Sequence, residues 1–267
     1  MVAVAAQERR KTPAKRRRKS WLWITFSSLA ISAVFVGQYA QGSLEELARN
    51  QLKVGPAPAY AGHGPLIQAA FYCHIIFAGV ALAVGPFQFA RWLRNNYPGA
   101  HRWIGRIYIA AVFLGSVSSF VMAFFNSVGL GGFFGFAGLA VLWGWTAWRG
   151  YRAAREKKFR EHQSWMIRNF AMTYAAVTLR LWLGVLILVQ LPFFSGDGFV
   201  ALFTAAYAPL PYIAWIPNVI VAELIIRRRG LPALRMTSGN VSPRVAESQP
   251  RVQPAVDNYR PYGRHEA

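Results

Sequence analysis

The chain contains a single cysteine, Cys73, in 267 residues, and only ten acidic side chains against thirty Lys and Arg. A lone thiol excludes an internal disulfide framework and a cysteine-based zinc cluster. The shortage of acids leaves a formal net charge of +20, which at first sight asks for an acidic partner. Gly-rich phosphate-binding loops are also missing from the polar segments, which excludes the common soluble nucleotide sites. What is abundant removes two further classes. Hydrophobic residues make up 54% of the chain, with ten Trp and nineteen Phe, and the mean hydropathy is positive. A disordered basic protein cannot be this apolar, and a soluble nucleic-acid binder rarely is.

The apolar residues gather into six stretches, 21–40, 66–92, 103–125, 132–148, 165–191 and 199–226. Each is close to or above the ~20 residues that carry a helix across ~30 Å of hydrocarbon. The short alternating strands of a membrane barrel are not seen. The sequence therefore predicts an all-α polytopic bundle of six transmembrane helices. Allocating the charges to the intervening segments explains most of the excess. Eight Lys and Arg fall in 1–20, four in 91–106, seven in 149–168 and eight in 227–267, which places 27 of the 30 on one side. The other side has Arg49 and Lys53 against Glu45, Glu46 and Asp197. By the positive-inside rule both termini and both basic loops are expected in the cytoplasm, with the protein in the cell membrane. Basic residues before the first span also describe a secretory signal. Residues around Tyr39-Ala40-Gln41 lack the small-x-small cleavage pattern, however, so an uncleaved signal anchor is expected.

The expected organisation is a basic tail (1–20), the anchor helix (21–40), an outer loop (41–65), a five-helix core (66–229) and a second basic tail without structure (230–267). In the outer loop, Ser43-Leu44-Glu45-Glu46 reads as a capping box opening a short amphipathic helix. Both tails suit the anionic lipids of the inner leaflet, at about 1 kcal/mol per basic residue near the surface. No nucleic-acid partner is expected, because topology already accounts for the charge.

Within the spans, polar residues locate the interior, since each costs free energy against lipid. His162, Met166, Asn169, Thr173, Ala176 and Arg180 recur at helical spacing on one face, over a rise of ~27 Å. His74, Ala78, Ala81, Gly85, Gln88 and Trp92 form a second stripe, and His101, Gly105, Tyr108, Val112, Gly115 and Ser119 a third. Small residues in these stripes, and Gly131-x-x-x-Gly135, permit close approach of backbones. Depth sorts the ionisable groups into two sets. His101, Arg102, Arg106, His162, Arg168 and Glu223 fall near the basic edge, whereas His74 and Arg180 share a level in the opposite half. Each has a plainer reading: the first two histidines as interfacial residues, Glu223 as a helical ion pair with Arg227, and His74 and Arg180 as donors to carbonyls. Pro209, Pro211 and Pro217 predict kinks in the last span.

The runs Phe71-Tyr72-Cys73-His74, Gly85-Pro86-Phe87-Gln88-Phe89 and His101-Arg102-Trp103-Ile104-Gly105-Arg106-Ile107-Tyr108 resemble the bacterial membrane proteins grouped as domain of unknown function 2306. So do His162-x-x-Trp165-Met166-Ile167-Arg168, Thr178-Leu179-Arg180, and Trp215-x-Pro217-Asn218 followed by Glu223. The resemblance spans 66–229 and implies a multi-pass fold without naming an activity. His101-Arg102-x-x-Gly105 is also similar to a motif of the cytochrome b-561 and ferric-reductase four-helix core, where haem lies between histidine pairs. Two haems need four core histidines, and spans two to five supply only His74, His101 and His162. That likeness thus implies at most one haem b, with His101 and His162 on the iron and Arg102 or Arg106 on the propionates. Gly105 would admit the porphyrin, Trp103, Trp165 and Tyr108 would line its pocket, and an electron donor or quinone would be the partner.

Three functions follow as expectations. The first is a redox membrane protein holding that cofactor. The second is a ligand-binding or transport protein with a polar pocket of His74, Arg180, Asn169 and Thr173, and Glu223 as a further candidate, where Arg180 would hold an anionic or quinone-like ligand. The third is a structural or accessory membrane protein. Whether the chain is an enzyme stays open, with the residues leaning against it: a catalytic zinc wants three ligands together, and the histidines are divided between depths.

Overall fold

Backbone in hydrocarbon must satisfy its hydrogen bonds internally, and the described residues do so as helices, with no strand among them. The computed structural model describes residues 2–50, 57–193 and 198–234; expectations for Lys53, Gly55, Pro56, Asp197 and the tail from 235 lie outside these. The helices are α1 (Val2–Gly37), α2 (Leu44–Asn50), α3 (Ala57–Ala61), α4 (Pro65–Gln88), α5 (Arg91–Asn96) and α6 (Pro98–Ala123). They continue with α7 (Gly129–Arg155), α8 (Phe159–Thr173), α9 (Ala175–Gln190), α10 (Phe199–Tyr207), α11 (Leu210–Ile213) and α12 (Ile216–Arg228). Six segments are long and apolar enough to cross a membrane: Arg18–Gly37, Pro65–Gln88, Pro98–Ala123, Gly129–Arg155, Phe159–Phe193 and Leu210–Arg228.

The predicted spans are present, but their ends move because helices outlast hydropathy. α6 starts at Pro98 rather than 103, with proline in the first turn where its missing N–H costs nothing. α7 runs to Arg155, with Arg152 and Arg155 in the last turn beside the exposed carbonyls. Just beyond it, Glu156 accepts from Lys158 and Arg152, and these two cations push its carboxyl down to about 2. The predicted capping box is formed: Ser43 N–H donates to Glu46 Oε2 at 2.9 Å, and Glu46 N–H donates to Ser43 Oγ at 3.2 Å. These bonds hold the Glu46 carboxyl below its ordinary range.

Two spans are interrupted. The fifth breaks at Tyr174, which the sequence does not announce, since neither Gly nor Pro stands there. The break is stabilised from outside. Asn218 of α12 donates through Nδ2 to the carbonyl of Ala171 (3.1 Å) and to Thr178 Oγ1 (2.9 Å). Tyr174 OH meets Ser27 of α1 at 2.8 Å. The expected last span, 199–226, is broken into α10, α11 and α12, with Pro209, Pro211 and Pro217 near the breaks as predicted, and the segment long and apolar enough to cross is Leu210–Arg228, with α10 preceding it.

The polar and small-residue stripes of the second and third spans face each other across α4 and α6. His74 meets the carbonyl of Gly115, Gly85 lies against Tyr108 and Phe170, and Gln88 lies against Gly105. α7 and α8 complete the core around Tyr108, Val112, Trp143 and Met172. α1 is packed into the bundle: Trp21 Nε1 donates to Pro86 O at 3.0 Å and Ser32 Oγ to Gly79 O at 2.9 Å. Leu181, Leu188, Val117 and Val141 point outward, as lipid-facing residues do.

Gly135 shows why one small residue was needed. A Cβ there would stand 2.8 Å from the Pro211 carbonyl oxygen, which is backbone and cannot yield. Gly135→Ala is therefore expected to cost about 2 kcal/mol by overpacking α7 against α11. Gly138→Ala, which meets nothing within 4 Å, serves as the control. Thermal melts of the two purified variants check this, and equal melting temperatures would refute it.

Candidate functional site

A cavity of about 430 Å³ lies in the half of the bundle away from the basic loops. Its walls come from the far-end portions of α1, α4, α6 and α7, from both sides of the Tyr174 break, and from α10 and α11. Most of the lining is apolar and aromatic, including Phe35, Phe71, Trp143 and Trp215. The polar lining is sparse, and His74 and Arg180, expected at one depth, both belong to it.

Arg180 is the dominant charge. Its Nη1 donates to the carbonyl of Ala176 at 2.6 Å, one turn back, while its Nε is buried without a hydrogen-bond partner. The guanidinium carbon lies 3.8 Å from the centroid of the Phe35 ring. A cation over a ring recovers part of the cost of burial, but among the described residues no carboxylate lines the cavity to neutralise it. Among the described residues, the ionisable groups within its electrostatic reach are His74, Tyr39 and Tyr207. His74 places Nδ1 3.1 Å from Gly115 O. A carbonyl only accepts, so Nδ1 carries the hydrogen, and a neutral ring then presents Nε2 as an acceptor.

Thr173 belongs to the cavity wall and also to the polar network beneath it. Trp143 Nε1 donates to Thr173 Oγ1 at 2.9 Å, and Tyr108 OH lies 2.8 Å from the same oxygen. Tyr108 OH donates to Asn169 Oδ1 at 2.6 Å, and Asn169 Nδ2 donates to Trp143 O at 2.7 Å and Thr146 Oγ1 at 2.9 Å. Asn169 is wholly buried and does not line the cavity: it ties α6, α7 and α8 together. The network closes the cavity toward the basic end.

Residues expected at the basic edge lie outside this cavity. His101 lies within electrostatic reach of Arg94, His162 and Arg102, and its Nδ1 is buried without a partner. His162 Nδ1 donates to Gly150 O at 2.8 Å. The space beside Gly105 is taken by the side chain of Gln88, whose Oε1 would be 3.2 Å from an added Cβ. Arg106 sits over the exposed Trp103, and Trp165 is held between Arg149 and Arg168. Neither His101 nor His162 lines the cavity. Among the described residues no group of three His, Cys, Asp or Glu could hold a metal ion. Glu223 does not line this cavity either. It pairs with Arg168 of α8 through two hydrogen bonds, the second at 3.1 Å, rather than with Arg227, which is exposed. A tertiary partner that is itself buried outcompetes a solvated neighbour one turn away.

The cavity also uses residues that the sequence did not single out, chiefly Phe35, Tyr39, Tyr60 and Tyr207. Ser32, Phe35, Val36 and Tyr39 share one face of α1 and the turn that follows it, a signal that was available in the first span but lay outside the supposed core. Six apolar crossings around a closed-floored cavity define a multi-pass helical membrane protein. Residues 71–226 match the family model described as predicted membrane protein, DUF2306, and the chain belongs to that family. No curated protein and no solved structure matches the chain.

Proposed function

We propose that this membrane protein binds a small ligand with an apolar body and an anionic or electron-rich oxygen, held by Arg180 in the cavity of the half away from the basic loops. The observation that carries this reading is the guanidinium whose Nε is buried without a partner, in a cavity that no carboxylate lines among the described residues. A charge left so in the membrane marks a functional site by default. The volume and the aromatic lining suit a small organic molecule. Because the Tyr108–Asn169–Thr173 network closes the floor, the reading is of binding from one side rather than passage through. The positive-inside rule supports a cell-membrane location with both termini cytoplasmic, which puts the cavity in the outer half.

The protein, extracted with its surrounding lipid in polymer nanodiscs, is expected to carry an acidic or quinone-like amphiphile. Mass spectrometry of organic extracts should show at least a tenfold loss of that species in Arg180→Gln. Equal retention by a folded variant would overturn the proposal. A haem between His101 and His162 is supported by one bond, from His162 Nδ1 to Gly150 O, which is how an axial histidine is commonly oriented. His101 lacks the corresponding bond.

A further inference from the structure

We infer that the ligand is a hydroxylated aromatic carrying an O–H donor at one end and an anionic or carbonyl oxygen at the other, a hydroxybenzoate or a hydroquinone. This rests on the binding reading above and goes further by asking what four polar groups of the cavity wall, Thr173, Tyr60, Arg180 and His74, still lack. Thr173 is occupied by Trp143, Tyr108 and the carbonyl of Asn169. Tyr60 OH donates to Met122 O at 3.3 Å. Arg180 retains donors only, Nε among them. His74 retains the opposite. With Nδ1–H committed to Gly115, its Nε2 on the far side of the ring offers a lone pair to the cavity it lines.

A plain carboxylate would satisfy Arg180 and leave the His74 lone pair unpaired in a mostly apolar cavity. A ligand with a hydroxyl satisfies both, and sites that hydrogen-bond a hydroxyl discriminate strongly against analogues lacking it. The walls set the rest of the molecule. His74 packs edge-on to Trp143 with ring centroids 6.5 Å apart, and Phe35, Phe71 and Trp215 supply aromatic surface for a ring between the two polar groups. About 430 Å³ leaves room for a ring and an alkyl substituent.

The test uses the full chain in lipid nanodiscs with five defined probes. These are 3-octyl-4-hydroxybenzoate, its 4-methoxy ether, 2-octyl-1,4-hydroquinone, its dimethyl ether, and decanoate. The wild type should bind at least one hydroxyl probe tenfold or more tightly than its ether, and which pair discriminates tells an acid from a hydroquinone. His74→Phe should remove that ratio by weakening the hydroxyl probe alone, and Arg180→Gln should weaken the acids. If ether and hydroxyl bind the wild type equally while decanoate binding still depends on Arg180, the inference falls and the binding reading stands. If no probe shows Arg180-dependent binding, both fall. The wild-type comparison needs no folded variant.

Discussion

Arg168→Ala is expected to destabilise the bundle by about 3–5 kcal/mol, the largest effect of any single substitution considered for this chain. Arg168 is 3% exposed, and its guanidinium bonds both oxygens of Glu223, reaches Pro232 O at 3.3 Å and lies 4.7 Å from the Trp165 ring centroid. Truncating it strands the Glu223 carboxylate beside Ile167, Ala222 and Ile226, the small apolar cluster that joins α8 to α12. The cost is that of an uncompensated charge, not the net worth of the pair, and the two can be separated. The double substitution Arg168→Met with Glu223→Met removes both charges and should recover most of the loss, because a paired charge returns little more than its desolvation takes away. Unfolding of the purified protein in mixed micelles of increasing sodium dodecyl sulfate fraction would measure both. A double variant as unstable as Arg168→Ala would contradict the electrostatic account.

The second large effect is expected at Asn169. Replacement by Leu keeps much of the volume but removes the acceptor for Tyr108 OH and the donors to Trp143 O and Thr146 Oγ1. Three hydrogen bonds at a net ~1 kcal/mol each would already be substantial. The groups left behind are buried, which sets the expected loss at about 3 kcal/mol. Tyr108→Phe leaves the Asn169 amide donors paired and should cost about half as much. Near-ultraviolet circular dichroism during unfolding reports the tertiary loss, and the ranking is the decisive point. If Tyr108→Phe proved the more damaging, Asn169 would not be the hub of the network.

The crossings could be read from the sequence because hydrophobic length and helical period are local properties, and so were the capping box and the proline-broken last span. The break at Tyr174 could not be read, because its cause is an amide from α12 and a hydroxyl from α1 rather than anything in its own segment. The same limit explains Glu223. From spacing alone Arg227 is the natural partner, while Arg168 becomes available only after α8 and α12 have packed. At the site, period and depth sufficed to bring His74 and Arg180 to one cavity. They could not show that Asn169 points into protein, that Gln88 fills the space beside Gly105, or that three tyrosines join the cavity wall. A tyrosine in an apolar span gives no contrast to a reading built on hydropathy.

α1 lies outside the segment that defines the family, yet it supplies Phe35 against Arg180 and, with the turn that follows it, Ser32, Val36 and Tyr39 to the cavity. The family segment builds the floor and most of the remaining sides of the chamber, and the sequence before it, α1 with its following turn and Tyr60 of α3, completes it. Under the proposed binding role, ligand preference would be partly modular: substitutions on one face of one peripheral helix would retune what the cavity admits, while the hydrogen-bonded core keeps its own constraints.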